Sequence, residues 1–116
     1  MDRTVDIVVI GAGPGGLSAA GTLALHGRDV LVISDGHLMG YGIEGAFKSK
    51  AGFEIARLHA HATMRRDLFE LPAAPSFDAV EQSIEHAAKG LGDSILNRLD
   101  RLGIEVVEGR GRFIDA

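Results

Sequence analysis

The sequence predicts an α/β fold: a small parallel sheet with covering helices, begun by a right-handed strand–helix–strand unit. Three observations carry the prediction. Val5 to Asp35 reads as strand, glycine turn, helix and strand. Phe77 to Leu102 steps apolar residues by three or four, as one face of a long helix. Ile104-Glu105-Val106-Val107-Glu108 then supplies a third strand.

The elements follow in order. Val5, Ile7, Val8, Val9 and Ile10 form a nearly continuous, β-branched run, the pattern of a parallel strand buried on both faces. Leu17 to His26 is dense in Ala and Leu, strong helix formers, and Gly27 ends that helix as its C-cap. Val30 to Ile33 is the second strand. Gly36, Gly40, Gly42 and Gly45 then read as a loop, either one that lets backbone approach a ligand or an ordinary connector. Ala46 to Arg66 is helical by the spacing of Phe47, Ala51, Ile55 and Leu58. Lys48 and Lys50 fall in its first turns, where cations oppose the dipole, which implies a ligand for them or a later helix start.

Leu71-Pro72-Ala73-Ala74-Pro75 is the clearest break, and Ser76 follows as an N-cap with Asp78 just inside. In the long helix Asp78, Glu81 and Glu85 lie early and Arg98 and Arg101 late, matching the dipole. Gly90 and Gly92 predict a kink, and Gly103 closes the helix. Arg112-Phe113-Ile114 is read as the start of a fourth strand. The long apolar stripe and the third strand are expected to lack partners within the chain, leaving apolar surface or an unpaired edge.

Gly11, Gly13 and Gly16 fall on the G-x-G-x-x-G spacing, directly after a strand and opening a helix. In such a turn the first glycine permits the tight exit, the second lets backbone approach a pyrophosphate, and the third lets helix pack close to strand. Pro14 has no N–H to lose near a helix start. Free N–H groups and the positive helix end then face the phosphates, so Gly11, Gly13, Pro14, Gly15 and Gly16 are candidate dinucleotide-binding residues. The acid that grips the ribose hydroxyls normally ends the second strand. Ser34 holds that place and Asp35 comes one residue late, so both are ribose candidates. No Arg or Lys lies close behind Asp35 in sequence, which argues against a 2′-phosphate.

Composition narrows the function classes. The chain has 116 residues, 46% hydrophobic and 24% charged, which suits one small globular domain over residues 1–116. A net charge of −4 supplies no electrostatic footprint for nucleic acid. No run approaches membrane-spanning length. Asp2 and Arg3 lead straight into the first strand without a signal-peptide pattern, and a cytoplasmic location is expected. The chain contains no cysteine, so it offers neither disulfide nor thiol chemistry. His59 and His61, two apart on a helix, point about 200° apart, and no metal site is expected. Arg65-Arg66 and Arg110-x-Arg112 read as solvated surface.

Asp6-Ile-Val-Val-Ile-Gly-Ala-Gly-Pro-Gly-Gly-Leu17 resembles the opening of the FAD-dependent pyridine nucleotide–disulfide oxidoreductases, the group of dihydrolipoamide dehydrogenase, glutathione reductase and soluble transhydrogenase. Gly45-Ala-Phe-Lys-Ser-Lys50 is similar to that family's Gly-Cys-Ile-Pro-Ser-Lys, and Glu108-Gly-Arg-Gly-Arg-Phe-Ile-Asp115 to the segment closing its third strand. The resemblance implies a Rossmann-like FAD/NAD(P)-binding sheet, here an incomplete domain, since family members run to several hundred residues. It implies FAD as cofactor and NAD as a diffusible co-substrate. It places Tyr41 and Ala46 where the family carries its redox cysteines, so no dithiol relay operates in this chain. It keeps Lys50, which sits by the reacting flavin ring in those enzymes and is the candidate catalytic residue.

The expected function is the FAD-binding part of an oxidoreductase that transfers hydride between a nicotinamide and another acceptor without a redox disulfide. The alternative is a non-catalytic dinucleotide-binding or partner-binding module. In either case self-association or a second chain is expected to complete the fold.

Overall fold

The computed structural model describes residues 4–68, 70 and 73–114. Three parallel strands, β1 (Ile7–Ile10), β2 (Val30–Ser34) and β3 (Glu105–Glu108), form one sheet in the order β1-β2-β3, so β2 is central. Ile7 pairs with Val30 and Ile10 with Ile33; Leu31 pairs with Glu105 and Ser34 with Glu108. This is the fold class that the sequence predicts.

Helix α1 (Pro14–Leu25) links β1 to β2 and starts three residues earlier than the Ala/Leu-rich run suggests, with Pro14 in its first turn. Its end follows the expectation. Gly27 takes φ +76, its N–H donates to the Ala24 carbonyl (2.9 Å), and Arg28 N–H donates to Leu23 (3.2 Å). Helix α3 (Phe77–Arg101) is capped by Ser76, whose hydroxyl accepts from Ala79 N–H at 3.2 Å. It runs unbroken through Gly90 and Gly92, where the sequence predicts a kink. Gly103, at φ +68, turns the chain into β3.

Val30 and Val32 are fully buried, and with Ala12, Ala20, Leu99 and Ile104 they make the core between sheet, α1 and α3. Each such valine contributes about 1.5–3 kcal/mol relative to exposure. The apolar stripe of α3 therefore has partners within the chain, contrary to expectation: Leu99 enters the core, with Ile95 and Leu102 packed against it. β1 departs from expectation in the other direction, whereas β3, at the sheet edge, leaves apolar surface exposed as expected. Among the described residues only one face is covered; Val8 and Ile10 on β1 stay about half exposed, at 48% and 49%, and Val107 is 40% exposed. β1 is thus not buried on both faces. No fourth strand forms over residues 112–114.

The glycine-rich connector is shorter than its composition implies. Gly42–Phe47 form a π-helical segment that runs directly into α2 (Lys48–Met64). Helical structure thus begins before Ala46 as π turns, while the α-helix itself starts two residues later than read, at Lys48, with Lys48 and Lys50 still in its first turn. Ala73–Ser76 lie outside regular structure, while Leu71 and Pro72 of the sequence break fall outside the described residues. α2 packs on the early part of α3, where a β-carbon at Gly52 would stand 3.3 Å from Ile84 Cδ1. The two helices project from the sheet, giving a molecule of 66 × 25 × 21 Å. No helix among the described residues is long and apolar enough to cross a membrane.

Candidate functional site

The glycine turn divides its labour sharply. Gly11 leaves β1 at φ +102, a region that side chains rarely adopt, and its N–H donates to the Ile33 carbonyl (2.8 Å), tying the exit of β1 to β2. Gly16 packs helix on strand: a β-carbon there would lie 2.1 Å from the Gly11 carbonyl oxygen and 3.2 Å from Val9 Cγ1. Gly13 and Gly15 face open space, with nothing within 4 Å of the same position.

Gly13 is the N-cap of α1, in extended conformation, so no side chain caps the helix, and its first turn holds no acidic residue. Among the described residues, no side chain therefore caps the N-terminal amides of α1, and no acid in its first turn offsets its positive end. Backbone donors with room in front of them can take an anion.

The C-terminal ends of the strands form a shallow cleft of about 320 Å³, lined by Ile10, Gly11, Ile33, Asp35, Gly109, Arg110 and Gly111. Two contacts build it from β3. Gly109 N–H donates to the Ser34 carbonyl (2.6 Å), and Gly111 presses on Ile10, so closely that a β-carbon would stand 3.0 Å from Ile10 Cγ1. Asp35 is exposed on the cleft. Ser34 is buried at 5% exposure, and its hydroxyl has no hydrogen-bond partner among the described residues. Glu108 is paired with Ser34 across the sheet, and its carboxylate lies against Gly36, 3.4 Å from where a β-carbon would be.

The sheet thus brings Glu108 and Arg110 to the two ribose candidates. Arg110 is exposed, as the sequence reading has it, and borders the same cleft as Asp35. Sequence proximity could not reveal either neighbour; only the β2–β3 register does.

The connector after β2 folds back on the glycine turn. Met39 N–H donates to the Ala12 carbonyl (2.7 Å), with Met39 held at φ +64, an uncommon conformation for a side-chain-bearing residue. At the start of the π-helical segment, a β-carbon at Gly42 would meet Pro14 Cγ at 3.7 Å. Tyr41 is 93% exposed, and Ala46 is exposed.

Lys48 is clamped by two carboxylates, Glu44 one turn back and Glu85 on α3, both at 2.7 Å. These hydrogen bonds, Glu44 first, raise its pKa above the ordinary lysine value. Pairing answers the question posed by a cation near a helix start: Lys48 joins the π-helical segment to α3. Lys50 stands exposed on the first turn of α2 and is not among the residues lining the strand-end cleft.

Known proteins resemble this chain over nearly its whole length. Residues 5–116 match the family described as pyridine nucleotide-disulphide oxidoreductase. A soluble pyridine nucleotide transhydrogenase of Mycobacterium bovis is 32% identical over 97% of this chain, and one from Hahella chejuensis is 33% identical over 95%. The chain spans about a quarter of the length of these curated relatives, 25% in both cases. The crystal structure of LpdA from Mycobacterium tuberculosis superposes with a TM-score of 0.72 at 26% identity, covering 94% of this chain and 24% of that one. The fold is the Rossmann-like fold of such flavoproteins, and the chain belongs to the pyridine nucleotide-disulphide oxidoreductase family.

Proposed function

We propose that residues 1–116 form the FAD-binding N-terminal portion of a cytoplasmic oxidoreductase that passes hydride between a nicotinamide nucleotide and another acceptor. The observation that carries this reading is the uncapped start of α1, with open space before Gly13 and Gly15 beside the strand-end cleft. A dinucleotide fits that set of groups. Its pyrophosphate meets backbone donors at Gly13, Gly15 and Gly16, beside Pro14, while Gly11, whose N–H is engaged by Ile33, shapes the turn, and its ribose lies near Ser34 or Asp35. FAD is favoured over NAD as the resident group by the family match and by the transhydrogenase relatives. When bound, the flavin supplies the hydride chemistry, while the protein supplies placement and electrostatics. Lys50 is the candidate to approach the flavin ring, and NAD serves as diffusible co-substrate. The chain contains no cysteine, so this portion contributes no thiol to a disulfide relay.

Isothermal titration of the full chain with FAD, ADP and NAD tests the reading. FAD is expected to bind more tightly than NAD, and Gly13→Val to abolish binding by blocking backbone approach. Tighter binding of NAD than FAD overturns the flavin assignment. A second reading is a non-catalytic nucleotide-binding module completed by self-association or by another chain. The half-exposed Val8 and Ile10 on the open sheet face favour it.

A further inference from the structure

The second strand ends without the carboxylate that a ribose normally meets. A hydroxyl stands there instead, without a hydrogen-bond partner among the described residues. Ser34 is 95% buried by the complement of its 5% exposure, so its hydroxyl has lost water and gained no protein bond in exchange. A buried, unpaired hydroxyl is costly and calls for a functional explanation.

The neighbouring strand supplies what β2 lacks. Glu108 is the register partner of Ser34, so the two side chains leave the same face of the sheet on strands about 4.8 Å apart. The Glu108 carboxylate reaches over Gly36, where φ is +96 and the missing side chain leaves it room. Gly36 follows Asp35, and Gly109 follows Glu108; both Asp35 and Gly109 line the strand-end cleft. No hydrogen bond or ion pair engages Glu108 among the described residues, whereas Lys48, Arg57 and Lys89 all hold carboxylates elsewhere.

Resting on the dinucleotide reading above, we infer that Glu108, from the third strand, is the carboxylate that grips the adenosine ribose hydroxyls. Ser34 is its positioning residue: once the ligand fixes the Glu108 carboxylate, the adjacent hydroxyl donates to it. The same geometry selects a free 2′-hydroxyl, because a 2′-phosphate would meet the Glu108 charge. Arg110, on the cleft, is then left for the pyrophosphate or solvent.

The test is titration of the full chain with ADP and with 2′-deoxy-ADP. Wild type is expected to prefer ADP by about tenfold, as for one charge-assisted hydrogen bond. Glu108→Gln, nearly isosteric and at an exposed position, should bind both about equally. Asp35→Asn should keep the tenfold preference. Ser34→Ala should reduce the preference several-fold while leaving the melting temperature unchanged or higher, since it removes an unpaired buried hydroxyl. A purely structural serine would instead lower the melt and spare the preference.

Retention of the preference in Glu108→Gln, or its loss in Asp35→Asn alone, overturns the inference and leaves the dinucleotide reading intact. Failure of wild type to bind FAD or ADP at all overturns both.

Discussion

Adding one methyl group at each of two neighbouring glycines should separate folding from binding. At Gly16 the added carbon falls 2.1 Å from the Gly11 carbonyl oxygen, well inside any permitted contact, and the obstacle is backbone that cannot swing aside. Helix α1 must then lift from β1, loosening the contacts of Ala20 and Leu17 with Val30 and Val32. Overpacking in a well-fitted core costs typically 1–3 kcal/mol, and a backbone clash belongs at about 3 kcal/mol. At about 4 °C per kcal/mol for a domain of this size, Gly16→Ala should melt roughly 12 °C below wild type.

At Gly13 the same methyl meets nothing within 4 Å. Gly13→Ala changes only the N-cap preference, about 1 kcal/mol, or roughly 4 °C. FAD affinity should follow the opposite order when measured well below both melting temperatures, with the larger loss at Gly13. Circular dichroism melts and titration calorimetry read the two effects. A Gly16→Ala chain that melts like wild type refutes the close approach. A Gly13→Ala chain with undiminished affinity refutes the assignment of the ligand to the start of α1.

Ser76→Ala removes the hydroxyl that accepts from Ala79 N–H and should lower stability by about 1 kcal/mol, read in denaturant midpoints. Lys48→Met should lower the melting temperature at neutral pH by breaking the clamp to Glu44 and Glu85. The folded pKa of Lys48 is raised, so the wild-type advantage is full below the ordinary lysine pKa. It fades as pH climbs through the raised value, and a pH series of melts on both chains checks this sign. Lipoamide and glutathione disulfide should not be reduced by the chain even with FAD and nicotinamide nucleotide present, because it has no cysteine; steady-state turnover of either contradicts this. Light scattering should find self-association through the open sheet face, suppressed by Val8→Lys; monomeric wild type at all concentrations would contradict it.

The parts of the fold legible in sequence are those set by near neighbours. The β-branched run of β1, the glycine turn, the Gly27 and Gly103 helix ends and the Ser76 cap each depend on a few consecutive residues, and each forms as read. Gly42 and Gly45 misled because glycine argues against helix locally. The segment instead gains the Lys48 bridge to Glu85 on α3, a tertiary contact with no local signature. The predicted double burial of β1 failed for a related reason: an apolar run records what a strand tolerates, whereas cover depends on what packs over it. In the glycine turn, Gly11, Gly13 and Gly16 were legible because their spacing sets the exit of β1, the start of α1 and its close approach to the strand. Glu108 and Arg110 were not, since they reach Ser34 and Asp35 only through parallel pairing between strands separated by two long helices.

The projecting pair α2 and α3 also governs how the molecule moves through solution. A compact chain of this length has a radius of gyration of roughly 13 Å, while this one measures 19.6 Å. Drag follows the long axis more than the mass, so a monomer migrates through a porous matrix as a considerably heavier globule would. Rotation about the short axes is slowed likewise, so the strands should tumble anisotropically, with amide relaxation depending on each bond's angle to the helical arm.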